Sequence, residues 1–279
     1  MQFHRLFASI AVAAGLAAGL TGCGDKGAEP AKTASSDAAK SVELVVGVSP
    51  VPHADIMNFV KPALEKEGVQ LKLIEFSDYV QPNIALAEGE LDANFFQHKP
   101  YLDEFAKEHN LKLASLVAVH IEPMGVYSKS VKAIADVPQG AKVAIPNDPT
   151  NGGRALKVLE TAGLLKLRPE AGILATRQDV TENPKSIEII EIEAAQLPRS
   201  LDDVSIAVIN SNYALGANLN PTKDAIAIEA KDSPYANIVA VRAGDEARAE
   251  LQKLKAALTT PEVQKFLSEK YQGAVVPAF

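Results

Sequence analysis

The 279-residue chain has no tryptophan and one cysteine, and only 5% of it is aromatic. With Cys23 as the sole thiol, no intramolecular disulfide can form and no cysteine pair can bind a metal. Basic residues, 28 of them, are outnumbered by 35 acidic ones and form no block, which argues against a nucleic-acid partner. Enzyme signatures are missing too: there is no GxSxG, no HExxH, no kinase set and no GxxxxGK phosphate loop. The expectation from these absences is a protein that is not an enzyme and needs no cofactor.

The N-terminus reads as a targeting segment. "MQFHRLFASIAVAAGLAAGLTGC" has a short basic start at Arg5, an uncharged apolar run over residues 6–20 and small residues before Cys23. That is the three-part layout of a secretory signal. The run is shorter than the roughly 20 residues a membrane-spanning helix needs. Leu20-Thr21-Gly22-Cys23 resembles a bacterial lipobox, so residues 1–22 are expected to be a signal peptide and Cys23 the lipidated residue. Residues 23–41 carry no large apolar side chain beyond it and cannot bury enough surface to offset the entropy of ordering. A tether of that length would hold a folded body on the order of 25 Å from a membrane. The residue after Cys23 is Gly24 rather than Asp, which leaves open whether the inner or the outer membrane holds the anchor.

From Val42 onward, β-branched apolar runs alternate with helical periodicity. "VELVVGVS", "VQLKLIEF", "LDANFF" and "LASLVAVHIE" read as strands, with helices over "HADIMNFVKPALEKEG", "NIALAEG" and "YLDEFAKEHN" between them. The alternation restarts with strands "AKVAIPND", "SIEIIEIE" and "VSIAVINS", and closes with strand "NIVAVRAG" and two amphipathic helices. Such alternation predicts βαβ units and a mostly parallel sheet, in two α/β halves around a cleft.

Three stretches carry chemistry. In "IPNDPTNGGRALKVL" a strand runs through an Asp-Pro turn and Gly152-Gly153 into a helix predicted to begin at Arg154. A helix N-terminus and an arginine both favour a carboxylate or phosphate, although a surface arginine beside an ordinary acid fits as well. "DANFFQHKPYL" gathers Phe95, Phe96, His98 and Tyr101; together with Phe76, Tyr79 and Phe105 these make an aromatic concentration suited to a pocket wall. One of Phe95 and Phe96 must face the core if the strand continues, and His98 also fits a satisfied loop histidine. "VSIAVINSNYA" puts Asn210 at the C-terminal end of a strand, where α/β sheets bind ligands, with Asn212 read as a turn or cap residue. His53, His98, His109 and His120 with Glu122 could supply metal ligands, but none has metal-binding local spacing, and no metal is expected.

"VSPVPHADIM", "DANFFQHKPYL", "VHIEPMGVYS", "IPNDPTNGGRAL", "VINSNYA" and "DSPYANIVAV", in this order, resemble the MetQ/NlpA methionine-binding lipoproteins, the substrate-binding component of a bacterial methionine ABC importer. The resemblance covers essentially the whole body after the tether. It implies an α/β, two-lobed periplasmic-binding-protein fold with a ligand cleft between the lobes. Lobe 1 would be residues 42–124 plus 236–279 and lobe 2 residues 125–235, with crossovers near 125–129 and 231–235. By this resemblance Tyr79, Phe96, His98 and Tyr101 line a side-chain pocket. Asn151 and Arg154 hold the α-carboxylate, Asn210 and Asn237 hold the polar end, and Glu122 could accept from the ammonium. The partners implied are L-methionine, the permease and ATPase subunits of the importer, and a membrane reached through the Cys23 lipid. The alternatives are the same fold binding D-methionine or a methionine dipeptide, or a metal-binding or surface-interaction lipoprotein.

Overall fold

The structure, a computed structural model, describes residues 41–230 and 233–279. The expected signal peptide, Cys23 and the tether up to residue 40 lie outside the described residues. Among the described residues no helix is long and apolar enough to cross a membrane.

The first half begins with β1 (Val42–Val48), α1 (Asp55–Lys66) and β2 (Val69–Glu75), then α2 (Gln81–Glu88) and β3 (Ala93–His98). α3 (Lys99–Glu108) leads into β4 (Leu113–Ile121). The chain then builds a second half from β5 (Gly125–Tyr127), β6 (Lys142–Pro146), α4 (Pro149–Thr161), β7 (Lys166–Leu167), β8 (Val180–Glu182) and β9 (Glu188–Ile192). It continues through α5 (Leu197–Ser200), β10 (Ile206–Ile209), α6 (Ser211–Gly216) and β11 (Ala227–Ile228). β12 (Ala236–Arg242), α7 (Ala249–Leu258), α8 (Pro261–Tyr271) and β13 (Val276–Pro277) return to the first half.

A six-stranded sheet has the order β13-β4-β12-β3-β1-β2, and a five-stranded sheet has the order β11-β5-β10-β6-β9. The mostly parallel sheet predicted from alternation is therefore mixed. β1 pairs in parallel with β2 and β3, but β12 runs antiparallel to both β3 and β4. The returning strand has inserted between two strands that a βαβ reading makes neighbours. Sequence order holds no trace of that insertion.

Each sheet carries its own core. Leu44, Val46 and Val48 of β1, all at 0% exposure, pack with Met57 and Leu64 of α1 and with Leu254 and Leu258 of α7. In the second half, Val143 and Ile145 of β6 pack with Leu156 and Leu159 of α4 and Val208 of β10. Burial of apolar side chains at about 25 cal/mol per Å² stabilises both. The first connection between the halves is residues 122–124, slightly ahead of the expected 125–129, because Gly125–Tyr127 already pair with β10 and β11. The second connection, residues 229–235, includes two residues outside the described set.

α4 begins five residues before the predicted start at Arg154. Asp148 is its N-cap, accepting from the Asn151 backbone N–H at 2.9 Å, and Pro149 opens the first turn. Gly152 and Gly153 are thus helical, and Gly153 has a packing reason. A methyl group there would press into the Ile173 carbonyl oxygen and come within 2.9 Å of the Ala175 backbone nitrogen. Gly153→Ala is therefore expected to destabilise the protein by about 1–3 kcal/mol through overpacking, despite alanine's better helix propensity. Thermal unfolding checks this, and an unchanged or higher Tm would contradict it.

Candidate functional site

The ends of β3, β4 and β10, the first two turns of α4 and the start of β12 converge on a small cavity between the two sheets. Tyr79, Phe96, His98, Tyr101, Asn151, Arg154, Asn210 and Asn237, all eight residues expected from the sequence, line it. Gln97, Glu122, Ser211 and Asn212 line it as well.

The aromatic wall comes from one side. Alternation along β3 sends Phe95 into the core and Phe96 to the cavity. The Tyr79 ring lies 5.9 Å from both Phe96 and Tyr101, at angles typical of edge and tilted aromatic contacts. Tyr101 Oη donates to the Tyr79 carbonyl at 2.9 Å, tying α3 to the loop before α2. Tyr79 Oη donates to Asn212 Oδ1 at 2.6 Å, and Tyr213 Oη to the Ser77 carbonyl at 3.0 Å. Both bonds join the two halves across the cleft. Asn212, read from the sequence as a turn or cap residue, instead faces the cavity; α6 starts immediately after β10, so its first turn projects into the cleft.

The polar wall is a directional relay. Asp148 only accepts, so Asn151 turns its Nδ2 toward both carboxylate oxygens, at 3.1 and 3.0 Å. Asn151 Oδ1 then accepts from Asn210 Nδ2 at 2.8 Å and from His98 Nε2 at 3.1 Å. His98 Nδ1 accepts the Tyr101 N–H, so the ring proton sits on Nε2 and the residue caps α3. His98 is both a satisfied histidine and a cavity residue. At the end of the relay, Asn210 Oδ1 is a buried acceptor with no partner among the described residues. Such an atom is costly unless a donor arrives. Asn151, anchored by its amide on Asp148 and accepting twice on its oxygen, orients Asn210 and His98.

Arg154 is 2% exposed. Its Nε donates to Glu229 Oε1 at 3.0 Å, its Nη2 donates to the Glu122 carbonyl at 2.7 Å, and its guanidinium carbon lies 4.4 Å from the centre of the Tyr235 ring. Nη1 makes no hydrogen bond to any described residue. The sequence predicts Arg154 at the start of its helix. The helix actually starts earlier, and Asp148 satisfies the N-terminal N–H, so the guanidinium itself carries the positive charge of the site.

Below it, Glu122 Oε1 accepts from His120 Nε2 at 2.7 Å and lies 3.3 Å from His53 Nε2, which also contacts Asn237 Oδ1 at 3.0 Å. These ligating atoms lie within 4.8 Å of one another, a spacing a metal ion could bridge. A metal-bound imidazole almost always donates its second ring N–H to an acceptor. Among the described residues His120 Nδ1 has no partner. The arrangement fits two neutral imidazoles, with His120 Nε2 donating to the buried Glu122 carboxylate and His53 Nε2 donating to Asn237 Oδ1. The sequence offered His53, His120 and Glu122 among possible ligands but not their grouping, because His53 lies far along the chain from His120 and Glu122.

Burial pushes the His53 pKa down to about 4, with Glu122 opposing the shift. Burial also takes His120 to about 3, and takes His98 to about 3 with help from the Arg154 charge. Burial raises the Glu122 and Asp148 carboxyls. A histidine depressed on folding binds its proton in the unfolded chain first. Its stabilising effect is full above the unfolded value of about 6.5 and is lost as the pH falls toward 4. The histidines should therefore make stability drop as the pH falls below 6.5, offset in part by the raised Glu122 and Asp148 carboxyls, which take up protons first in the folded protein, and His120→Asn should make the drop shallower by up to about 1.4 kcal/mol per pH unit. Chemical denaturation of both proteins at a series of pH values checks this, and the same pH dependence in the variant would contradict it.

Residues 44–279 match the family model of the NlpA lipoproteins. A protein of Vibrio cholerae serotype O1, named a probable D-methionine-binding lipoprotein MetQ, is 44% identical over 258 residues, covering 92% of each chain. A nutrient-binding protein from Burkholderia cenocepacia, solved bound to methionine, is 51% identical with a TM-score of 0.82 over 85% of this chain and all of its own. A periplasmic substrate-binding protein of an ABC transporter from Coxiella burnetii is 43% identical with a TM-score of 0.81, over 84% of this chain and all of its own. The fold is that of the periplasmic substrate-binding proteins, and the chain belongs to the NlpA lipoprotein family.

Proposed function

We propose that this protein is a lipid-anchored, extracytoplasmic solute-binding protein that captures methionine and delivers it to the permease and ATPase subunits of an ABC importer. Its two lobes would be residues 42–124 with 236–279 and residues 125–235, and Cys23 would carry the lipid. The observation that carries this reading is the cavity itself. Its two polar ends are complementary to a zwitterion, and its third side is aromatic. Arg154 Nη1 is a cationic donor without a partner among the described residues, and Asn210 Oδ1 is an unpartnered acceptor.

A free amino acid satisfies both. Its carboxylate would take Arg154 Nη1 and the Nδ2 of Asn237, whose Oδ1 is held by His53. Its ammonium would take Asn210 Oδ1 and the Glu122 carboxylate, which His120 orients. The side chain would then lie against Tyr79, Phe96 and Tyr101. Sulfur gains roughly 0.3–1.5 kcal/mol from aromatic contacts, and a flexible thioether fills an irregular wall. An acidic side chain would enter an apolar wall unmatched, at high desolvation cost. The hydrogen bonds between Tyr79 and Asn212 and between Tyr213 and Ser77 would close the lobes over the ligand. Relatives are named as binding proteins, and ATP hydrolysis belongs to the importer's other subunits. The name of the Vibrio cholerae relative makes D-methionine the second candidate.

Mass spectrometry of what is released on denaturing purified protein, followed by calorimetry on stripped protein with L- and D-methionine, tests the reading. Released methionine and a measurable binding heat are expected. Arg154→Ala should weaken binding by about 2–5 kcal/mol, because both the ligand carboxylate and Glu229 lose a buried partner. No heat with either enantiomer would remove the proposal. Unchanged affinity in the alanine variant would place the carboxylate elsewhere.

A further inference from the structure

Arg154 directs most of its donors at a group that is always present. Nε and Nη2 both bond the Glu229 carboxylate, whose Oε2 also accepts from the Met124 backbone N–H at 3.1 Å. Met124 belongs to the connection between β4 and β5, and Glu229 directly follows β11 in the return toward β12. The carboxylate is thus fixed where both connections between the halves pass. Its side chain is 11% exposed, against 3% for Arg154, so water screens the pair poorly.

The proposed ligand needs only a cationic donor for its carboxylate. A second carboxylate on the same guanidinium has to be explained. A buried cation with no partner is unstable, so an empty cleft requires a counter-charge. When the ligand's carboxylate arrives, it must share the guanidinium with that counter-charge and is repelled by it at low effective dielectric. The same group that makes the empty site tolerable therefore opposes its filling.

We propose that Glu229 is the resident counter-charge of Arg154, compensating the guanidinium in the empty cleft and lowering the affinity for the ligand's carboxylate so that a captured amino acid can be released. This inference rests on the amino-acid-binding reading above. It makes Glu229 a positioning and affinity-setting residue, which no resemblance at the level of the ligand pocket would suggest, since it does not line the cavity.

The test is calorimetry and stopped-flow dissociation on the full-length protein with L-methionine and with L-methioninol, which lacks the carboxylate. Glu229→Gln removes the charge and keeps the side-chain length. It should bind L-methionine about tenfold tighter, equivalent to about 1.4 kcal/mol, with slower release. Its ligand-free form should melt at a lower temperature than the wild type, and its affinity for L-methioninol should be unchanged. Glu229→Asp, which withdraws the charge by one methylene, should tighten L-methionine binding less, and it serves alone if the glutamine variant does not fold. Weaker L-methionine binding in either variant, or equal tightening for both ligands, would overturn the inference while leaving the amino-acid reading intact. A wild-type protein that binds neither methionine enantiomer would remove both.

Discussion

A guanidinium almost wholly removed from water is the constraint from which the rest of the site follows. Arg154 lies on the second turn of α4, and α4 lies where it does because Asp148 caps it and Gly153 lets the Ile173 carbonyl approach. Burying that charge requires partners on several sides. Glu229, the Glu122 carbonyl and the Tyr235 ring supply them from both connections between the halves, and among the described residues no group takes the remaining nitrogen. A charge arranged in this way links a ligand's carboxylate to the segments that join the two sheets.

The opposite pole is set by a different logic. Hydrogen bonds have direction, and a chain of amides passes that direction along. Asp148 can only accept, so Asn151 presents its oxygen inward, Asn210 presents its amide to Asn151, and the last oxygen is left without a donor among the described residues. His120 aims Glu122 and His53 aims Asn237, and burial keeps both imidazoles neutral so that neither adds positive charge there. Acceptors at one end, a cation at the other and rings along the third side describe a zwitterion with an apolar tail.

Most of this was legible in the sequence, for identifiable reasons. β1, β6, β10 and β12 showed as apolar β-branched runs because both of their sheet faces are largely covered, β3 showed by its paired phenylalanines, and β2, β4 and β9, less completely covered, showed by the β-branched residues they keep. The ring-rich stretch ending in Tyr101 announced a pocket wall, and the resemblance brought Asn210 and Asn237 to it. What stayed hidden depends on distant pairing. The insertion of β12 between β3 and β4 leaves no local signal, and β5, β11 and β13 are too short to show a period. The start of α4 was misread because Gly-Gly looked like a loop, although Asp148-Pro149 is the stronger start signal. Glu229 carries no local sequence signal. Only the fold brings it to Arg154.

The most direct measurement of the central claim is a structure of the protein co-crystallised with methionine. The account predicts the ligand carboxylate within hydrogen-bond distance of Arg154 Nη1, the ammonium against Asn210 Oδ1, and the thioether on the Tyr79, Phe96 and Tyr101 rings. A ligand with these ends reversed, or one seated away from Arg154 altogether, would contradict it.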